Sequence, residues 1–224
     1  MLYEKERQQI IDCALKMDRY GLIALMGGNV SWRVEDDRVL LTPSGMIYDQ
    51  MVPADVLVVD MEGNIVEGER KPSVDTQALL YIMKNVPRAR AVIHTHQPYA
   101  TGLGLVMDEI PCNLSTLANS TEGSVHVAEY GDAGSLSMGV EAVKAIGDRL
   151  AVVLKHHGVI GIGKDLDQAL VSVVYLEEAC KTIQVALSTG KPMAEMTDAQ
   201  IEEAVNVFRY RYGQSEGYMD KKDE

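Results

Sequence analysis

The sequence predicts a layered α/β protein built on a mixed, largely antiparallel sheet. Three observations carry this. Helical and strand-like periodicities alternate along the 224 residues. Several strand-like runs lie closer together than the dozen or more residues that a parallel crossover needs. No repeat, low-complexity tract or linker divides the chain, so residues 1–224 read as one domain.

Residues 4–20 place Ile10, Cys13, Ala14 and Met17 at helical spacing, with Gly21 as a stop. β-branched runs follow: VSWRV, RVLLT, and VLVVD ahead of the turn-like MEGN. VDTQALLYIMKNV returns to helical spacing at Ala78, Leu79, Ile82, Met83 and Val86, and RARAVIHTH reads as a buried strand. GVEAVKAIGDRL is expected to be helical, and AVVLKHHGVIGIG to be a second central strand broken by glycines. The longest helix is DLDQALVSVVYLEEACKTIQVALSTG, capped by Asp165 or Asp167 and ended by Gly190. A last helix over about 198–209 precedes a charged tail, MDKKDE, expected to be loose.

Apolar residues make up 46% of the chain and charged residues 24%, ordinary proportions for a globular protein. No run approaches the ~18 apolar residues of a membrane span. The N-terminus, MLYEKERQQI, is charged where a signal peptide would be apolar. A cytoplasmic protein without a membrane partner is therefore expected. The net charge of -12 argues against a nucleic-acid surface. It is compatible with a small anionic substrate, because one local site can be positive on an acidic protein. Cys13, Cys112 and Cys180 lack CxxC spacing and read as reduced thiols.

The histidines point to chemistry. On a strand, His94 and His96 share a face with Cα atoms about 6.6 Å apart. They can converge on a zinc ion, which takes imidazole nitrogen at about 2.0–2.1 Å. A third ligand is needed, and His156/His157 follow another buried run. Alternation puts His157 on the face of Lys155 and Val153 and His156 on that of Leu154, so one of the two joins a cluster and the pattern leaves open which. Taken alone, HxH is as well read as two hydrogen-bonded structural histidines. His126, in SVHVAEY, is isolated and reads as structural.

Three loops share an anion-binding composition: MGGNVS (26–31), TPSGM (42–46) and KPSVD (71–75). Glycine lets the backbone approach an anion, while Ser, Thr and Asn add donors without bulk. Each also has a modest explanation. Gly27-Gly28-Asn29 fits a hairpin turn, Thr42-Pro43-Ser44-Gly45 fits a type I turn, and Ser73 fits a helix cap. Asp75 falls at the start of that helix, where the dipole stabilises a carboxylate in any protein. It could equally serve as a base or an oxygen ligand.

Taken in order, GGNVS, TPSG, KPSVD, VIHTH and KHHG resemble the class II aldolase/adducin family, from the first helix to RYRYGQ. The closer likeness is to its L-fuculose-1-phosphate aldolases, the lesser to its L-ribulose-5-phosphate 4-epimerases. The resemblance implies one three-layer α/β/α domain, a largely antiparallel central sheet, and a homotetramer with active sites between subunits. It implies Zn2+, with Mn2+ or Co2+ also compatible, on His94, His96 and His157, leaving His156 structural. Gly28, Asn29, Ser44, Gly45 and Ser73 would hold the phosphate of a sugar substrate. Asp75 would be the base, at a position that can also ligate zinc. Tyr212, or alternatively Tyr210, would reach a neighbouring subunit's site and donate a proton.

The implied activity is cleavage of a ketose 1-phosphate, such as L-fuculose 1-phosphate, to dihydroxyacetone phosphate and an aldehyde through a metal-stabilised enediolate. Alternatives are epimerisation by retro-aldol and aldol steps, decarboxylation or dehydration, and a non-catalytic adducin-like binding module. The chain departs from both enzyme types. Asp75 matches the epimerases where fuculose-phosphate aldolases carry Glu. Ser115 stands where the aldolases have a tyrosine, and Asn119 where the epimerases have an Asp. No histidine follows His157, and Val74 replaces a second phosphate-loop serine.

Overall fold

The computed structural model describes residues 1–212. Helix α1 (Glu4–Arg19) buries Ile10, Ala14 and Met17, the spacing that predicted it. Strands β1 (Asn29–Glu35) and β2 (Arg38–Leu41) form one antiparallel hairpin, and β3 (Leu57–Val59) and β4 (Ile65–Glu67) another. Helix α2 (Thr76–Asn85) leads into β5 (Ala91–Thr95). Short elements follow: α3 (Pro98–Leu103), β6 (Glu109–Ile110), α4 (Ser115–Thr121) and β7 (Val125–Ala128). The chain closes with α5 (Leu136–Ile146), β8 (Ala151–Leu154), β9 (Gly158–Gly163), α6 (Leu166–Ser188) and α7 (Asp198–Arg211).

The strands join one sheet in the order β4-β3-β2-β1-β5-β9-β8-β7-β6. Each neighbouring pair is antiparallel except β7 with β8, and the short links β1–β2, β3–β4 and β8–β9 leave no room for a parallel crossover. Strand alternation sorts the core into two layers. Val30, Leu40, Ala91, Ile93, Val153 and Val159 pack with α1, α3, α4 and α6. Val39, Leu41, Val92, Val152 and Ile160 pack with α2 and α5 on the opposite face. With both faces covered, the central strands are apolar at consecutive positions.

The expected single strand AVVLKHHGVIGIG is instead the hairpin β8–β9. His157 N–H donates to the Leu154 carbonyl at 3.0 Å, and Leu154 pairs with Gly158. The turn rests on His156 at φ +62°, a left-handed backbone that costs a residue with a Cβ roughly 1–2 kcal/mol. A glycine there would have announced the turn; histidine hides it. Gly27-Gly28-Asn29 joins α1 to β1 and closes no hairpin. Helix α5 starts earlier than expected because Ser135 caps it, accepting from Ser137 N–H at 3.2 Å. Asp165 caps α6 in the expected way, accepting from Gln168 N–H at 2.8 Å. The tail MDKKDE lies outside the described residues. No helix among the described residues is long and apolar enough to cross a membrane.

Candidate metal centre

His94 lies opposite Asn29 of β1 and Ile160 of β9. Its side chain therefore shares the α2/α5 face with Val92, and it is 1% exposed. Its Nδ1 sits 3.0 Å from the Val159 carbonyl, which can only accept, so Nδ1 carries the hydrogen and Nε2 a lone pair. Burial, reinforced by the two neighbouring imidazoles, pushes its pKa down to about 3 and keeps the ring neutral.

His96 lies one residue beyond the strand, its N–H donating to the Leu22 carbonyl at 3.0 Å. His157 enters from the β8–β9 turn. The Nε2 of His94 is 3.0 Å from Nε2 of His96 and 3.3 Å from Nε2 of His157. All three ligand atoms lie within 4.8 Å of one another. A single lone pair thus faces two nitrogens, an arrangement that a shared cation satisfies. A tetrahedral ion about 2.0–2.1 Å from each of two imidazoles would hold them roughly 3.3–3.4 Å apart, close to these separations. His94, His96 and His157 fit a divalent metal.

The backbones must come close for this. A Cβ on Gly28, at φ +72°, would meet the His94 carbonyl at 2.4 Å. One on Gly158 would meet the Thr95 carbonyl at 2.1 Å and both the His94 and His96 rings at 3.2 Å. Tyr48 hydroxyl donates to the Gly28 carbonyl at 2.8 Å and fixes that loop from below.

Asp75 is buried beside the histidines. It stands at the start of α2, yet its carboxylate caps no helical N–H. One oxygen accepts from Asn29 Nδ2 at 2.7 Å and the other from Gly134 N–H at 3.1 Å. The carboxylate fixes the Asn29 amide, so Asn29 Oδ1 is left buried without a partner among the described residues. Asp75 is not part of the ligand-atom group formed by the three histidines. Its charge still reaches them, opposing the fall that burial imposes on the pKa of His96 and His157.

The other anticipated residues divide. Loops 42–46 and 71–75 are tied by a Pro43–Pro72 bridge and by Ser44 N–H donating to the Lys71 carbonyl at 2.9 Å. Ser44, Gly45 and Ser73 therefore share one edge, continuous through Asp75 with Gly28 and Asn29. Ser73 Oγ accepts from Asp75 N–H at 3.3 Å. A Cβ on Gly45, at φ +68°, would meet open space. His156 is exposed and touches the Tyr130 ring, outside the cluster. His126 faces Glu109 at 3.6 Å. Tyr212 is 58% exposed and stacks on Phe208, at the end of a helix that packs on α4. Tyr210 is exposed as well.

These motifs sit in a fold that comparison places directly. The sequence model described as Class II Aldolase and Adducin N-terminal domain matches residues 8–184. The chain belongs to that family. This aldolase/adducin chain is 31% identical over 215 residues to the 5-deoxy-D-ribulose 1-phosphate aldolase of Bacillus thuringiensis serovar kurstaki, covering 96% of the chain and 100% of the relative. A solved L-fuculose 1-phosphate aldolase superposes with a TM-score of 0.87 at 30% identity, covering 94% and 99% of the two chains. YgbL from Escherichia coli, at 23% identity and TM-score 0.80 over 92% and 100%, is a likeness of fold.

Several groups that build this aldolase/adducin site carry no local signal. Gly134 holds Asp75 from 59 residues away, Tyr48 supports Gly28, and the Leu22 carbonyl receives His96. Only the tertiary fold brings them in.

The three imidazoles also set a pH dependence for the metal-free protein. Each is held below the ordinary histidine pKa, by burial first. As pH falls below about 6.5 the unfolded chain takes up protons before the folded one. Their contribution is therefore full above that pH and declines below it, extending for His94 toward pH 3. The slope is about 1.4 kcal/mol per pH unit for each proton of difference. Melting of the metal-free protein between pH 7.5 and 5 should show a falling Tm, and the fall should be shallower in His96→Gln. Equal slopes would contradict it.

Proposed function

We propose that this chain is a metal-dependent aldolase that cleaves a ketose 1-phosphate to dihydroxyacetone phosphate and an aldehyde. One observation carries the reading: three imidazole Nε2 atoms converge beside a buried carboxylate held on both oxygens. The named relatives, a 5-deoxy-D-ribulose 1-phosphate aldolase and an L-fuculose 1-phosphate aldolase, support the substrate class.

Cleavage breaks the bond between carbons 3 and 4. The electron pair moves toward the carbonyl at carbon 2, the carbon-4 hydroxyl gives up its proton, and carbon 3 gains one. A divalent ion on His94, His96 and His157, with Zn2+ first and Mn2+ or Co2+ compatible, supplies Lewis-acid stabilisation of the developing negative charge. Asp75 serves as the proton carrier at carbon 3, aimed by Asn29 and Gly134. The edge formed by Gly28, Asn29, Ser44, Gly45 and Ser73 receives the phosphate, with Gly45 open to solvent.

The histidine cluster opens outward through His96; exposed Leu25 and Met26 precede Gly27, which lies against the His96 ring, and exposed Val74 adjoins Asp75. Such a rim supports a homotetramer in which a neighbouring subunit covers the site and Tyr212 arrives from that neighbour as the proton donor. Tyr212→Phe tests this by slowing turnover in a tetrameric protein.

The deciding experiment incubates zinc-loaded protein with ketose 1-phosphates, L-fuculose 1-phosphate and 5-deoxy-D-ribulose 1-phosphate among them, with coupled detection of dihydroxyacetone phosphate. L-Ribulose 5-phosphate is the second arm, since Asp75 matches the epimerases. A pentose phosphate of unchanged mass and new retention, with no triose, would replace the aldolase by an epimerase.

A further inference from the structure

Glu177 is a carboxylate that the proposed chemistry does not use. It lies midway along α6 and is 1% exposed. One oxygen accepts from Tyr99 N–H and the other from Ala100 N–H, each at 3.0 Å. These amides belong to the first turn of α3, where helical N–H groups have no partner within the helix. One turn earlier on α6, the Val173 carbonyl accepts from Gln97 Nε2 at 3.3 Å, and Gln97 Oε1 accepts from Thr95 Oγ1 at 2.7 Å. The segment 95–100 is therefore fastened to α6 at two successive turns.

His96 sits inside that segment. The ladder between β5 and β9 ends at Thr95–Val159, so His94 is held by strand pairing and His96 is not. His157 has its own anchor in the β8–β9 turn. Beyond its own N–H to the Leu22 carbonyl, His96 depends on how the chain leaves the sheet. We infer that Glu177 is a positioning residue that fixes the exit of β5 and thereby aims His96 at the metal. This rests on the metal reading of the site. Capping alone accounts poorly for it, because a six-residue helix could be capped by a neutral side chain without burying a charge.

The test is titration of metal-free protein with Co2+, followed by visible absorption, for wild type, Glu177→Gln and Ile146→Ala. Glutamine keeps the shape but sets an amide N–H2 against one backbone N–H. Loss of an outer partner of a metal ligand typically costs 10- to 100-fold in affinity, and that weakening is expected for Glu177→Gln with its circular dichroism unchanged. Ile146→Ala, in the α2/α5 layer, should lower Tm and bind Co2+ as wild type does. A Glu177→Gln protein that melts lower but binds Co2+ with wild-type affinity would overturn the inference and leave the metal centre standing. A wild type that takes up no Co2+ would remove both.

If Glu177→Gln does not fold, amide exchange in wild type decides. Coupling between clamp and metal is reciprocal, so Co2+ must slow exchange at Tyr99 and Ala100 beyond the slowing at α5 amides. Equal slowing would overturn the inference.

Discussion

Asp75→Asn is expected to lower turnover by about 10²- to 10⁴-fold, the range for a lost general acid–base group, while the protein stays folded and binds metal as before. The hydrogen bonds explain why these effects should separate. In the wild type Asp75 accepts from Asn29 Nδ2 and from Gly134 N–H. An asparagine can keep its oxygen on Gly134 and turn its N–H2 toward residue 29. Asn29 can then flip its amide, presenting the Oδ1 that is otherwise buried without a partner among the described residues. The flip carries Asn29 Nδ2 into the buried place where Oδ1 had no partner, so a loss of about 1–3 kcal/mol is expected, short of unfolding. What disappears is the group that can hold and release a proton. Metal affinity should persist because Asp75 is outside the ligand-atom group of the three histidines. Turnover of a ketose 1-phosphate, metal content and Tm measured on one preparation check all three parts. A drop in metal content with activity would make Asp75 a ligand, and undiminished turnover would remove it from the chemistry.

The parts of this site that were legible in the sequence are those fixed by strand periodicity and chain order. AVIHT reads as a two-sided buried strand, and it pairs with β1 and β9 in the middle of the sheet. The long helices carried enough turns for their spacing to show, and Asp165 marked the start of α6. Elements α3 and α4, six and seven residues long, are too short for a helical period to stand out. The β8–β9 hairpin was hidden because its left-handed residue is His156, not a glycine. That error had a consequence for the ligands. Alternation along one strand left the choice between His156 and His157 open, whereas the turn sends His157 into the cluster and His156 to the surface. Family resemblance pointed to His157, which the turn brings beside His94 and His96, for a reason that local pattern did not contain. Asp75 was visible as a charged residue at a helix start, but the hold on its carboxylate comes from Asn29 and Gly134, at separations of 46 and 59 residues. Such contacts exist only once the sheet order is set.

His96→Ala should remove metal and activity together and leave the fold intact. Of the three ligands it is the most exposed. Its backbone N–H goes to the Leu22 carbonyl whatever side chain it bears. Truncation there costs little packing, whereas the same change at His94 would open a hole in the core. Two imidazoles in place of three leave a weak site, so the loss of affinity should exceed the 10- to 100-fold that an outer partner costs. Thermal melting reads this without an activity assay. A ligand that binds only the folded state stabilises it, by about 2.7 kcal/mol at 100 times its Kd. Wild-type protein should gain Tm on adding zinc, and His96→Ala should gain almost none at the same concentration. Equal gains would place the ion on other residues, and the convergence of residues 94, 96 and 157 would then be a packing arrangement of neutral imidazoles.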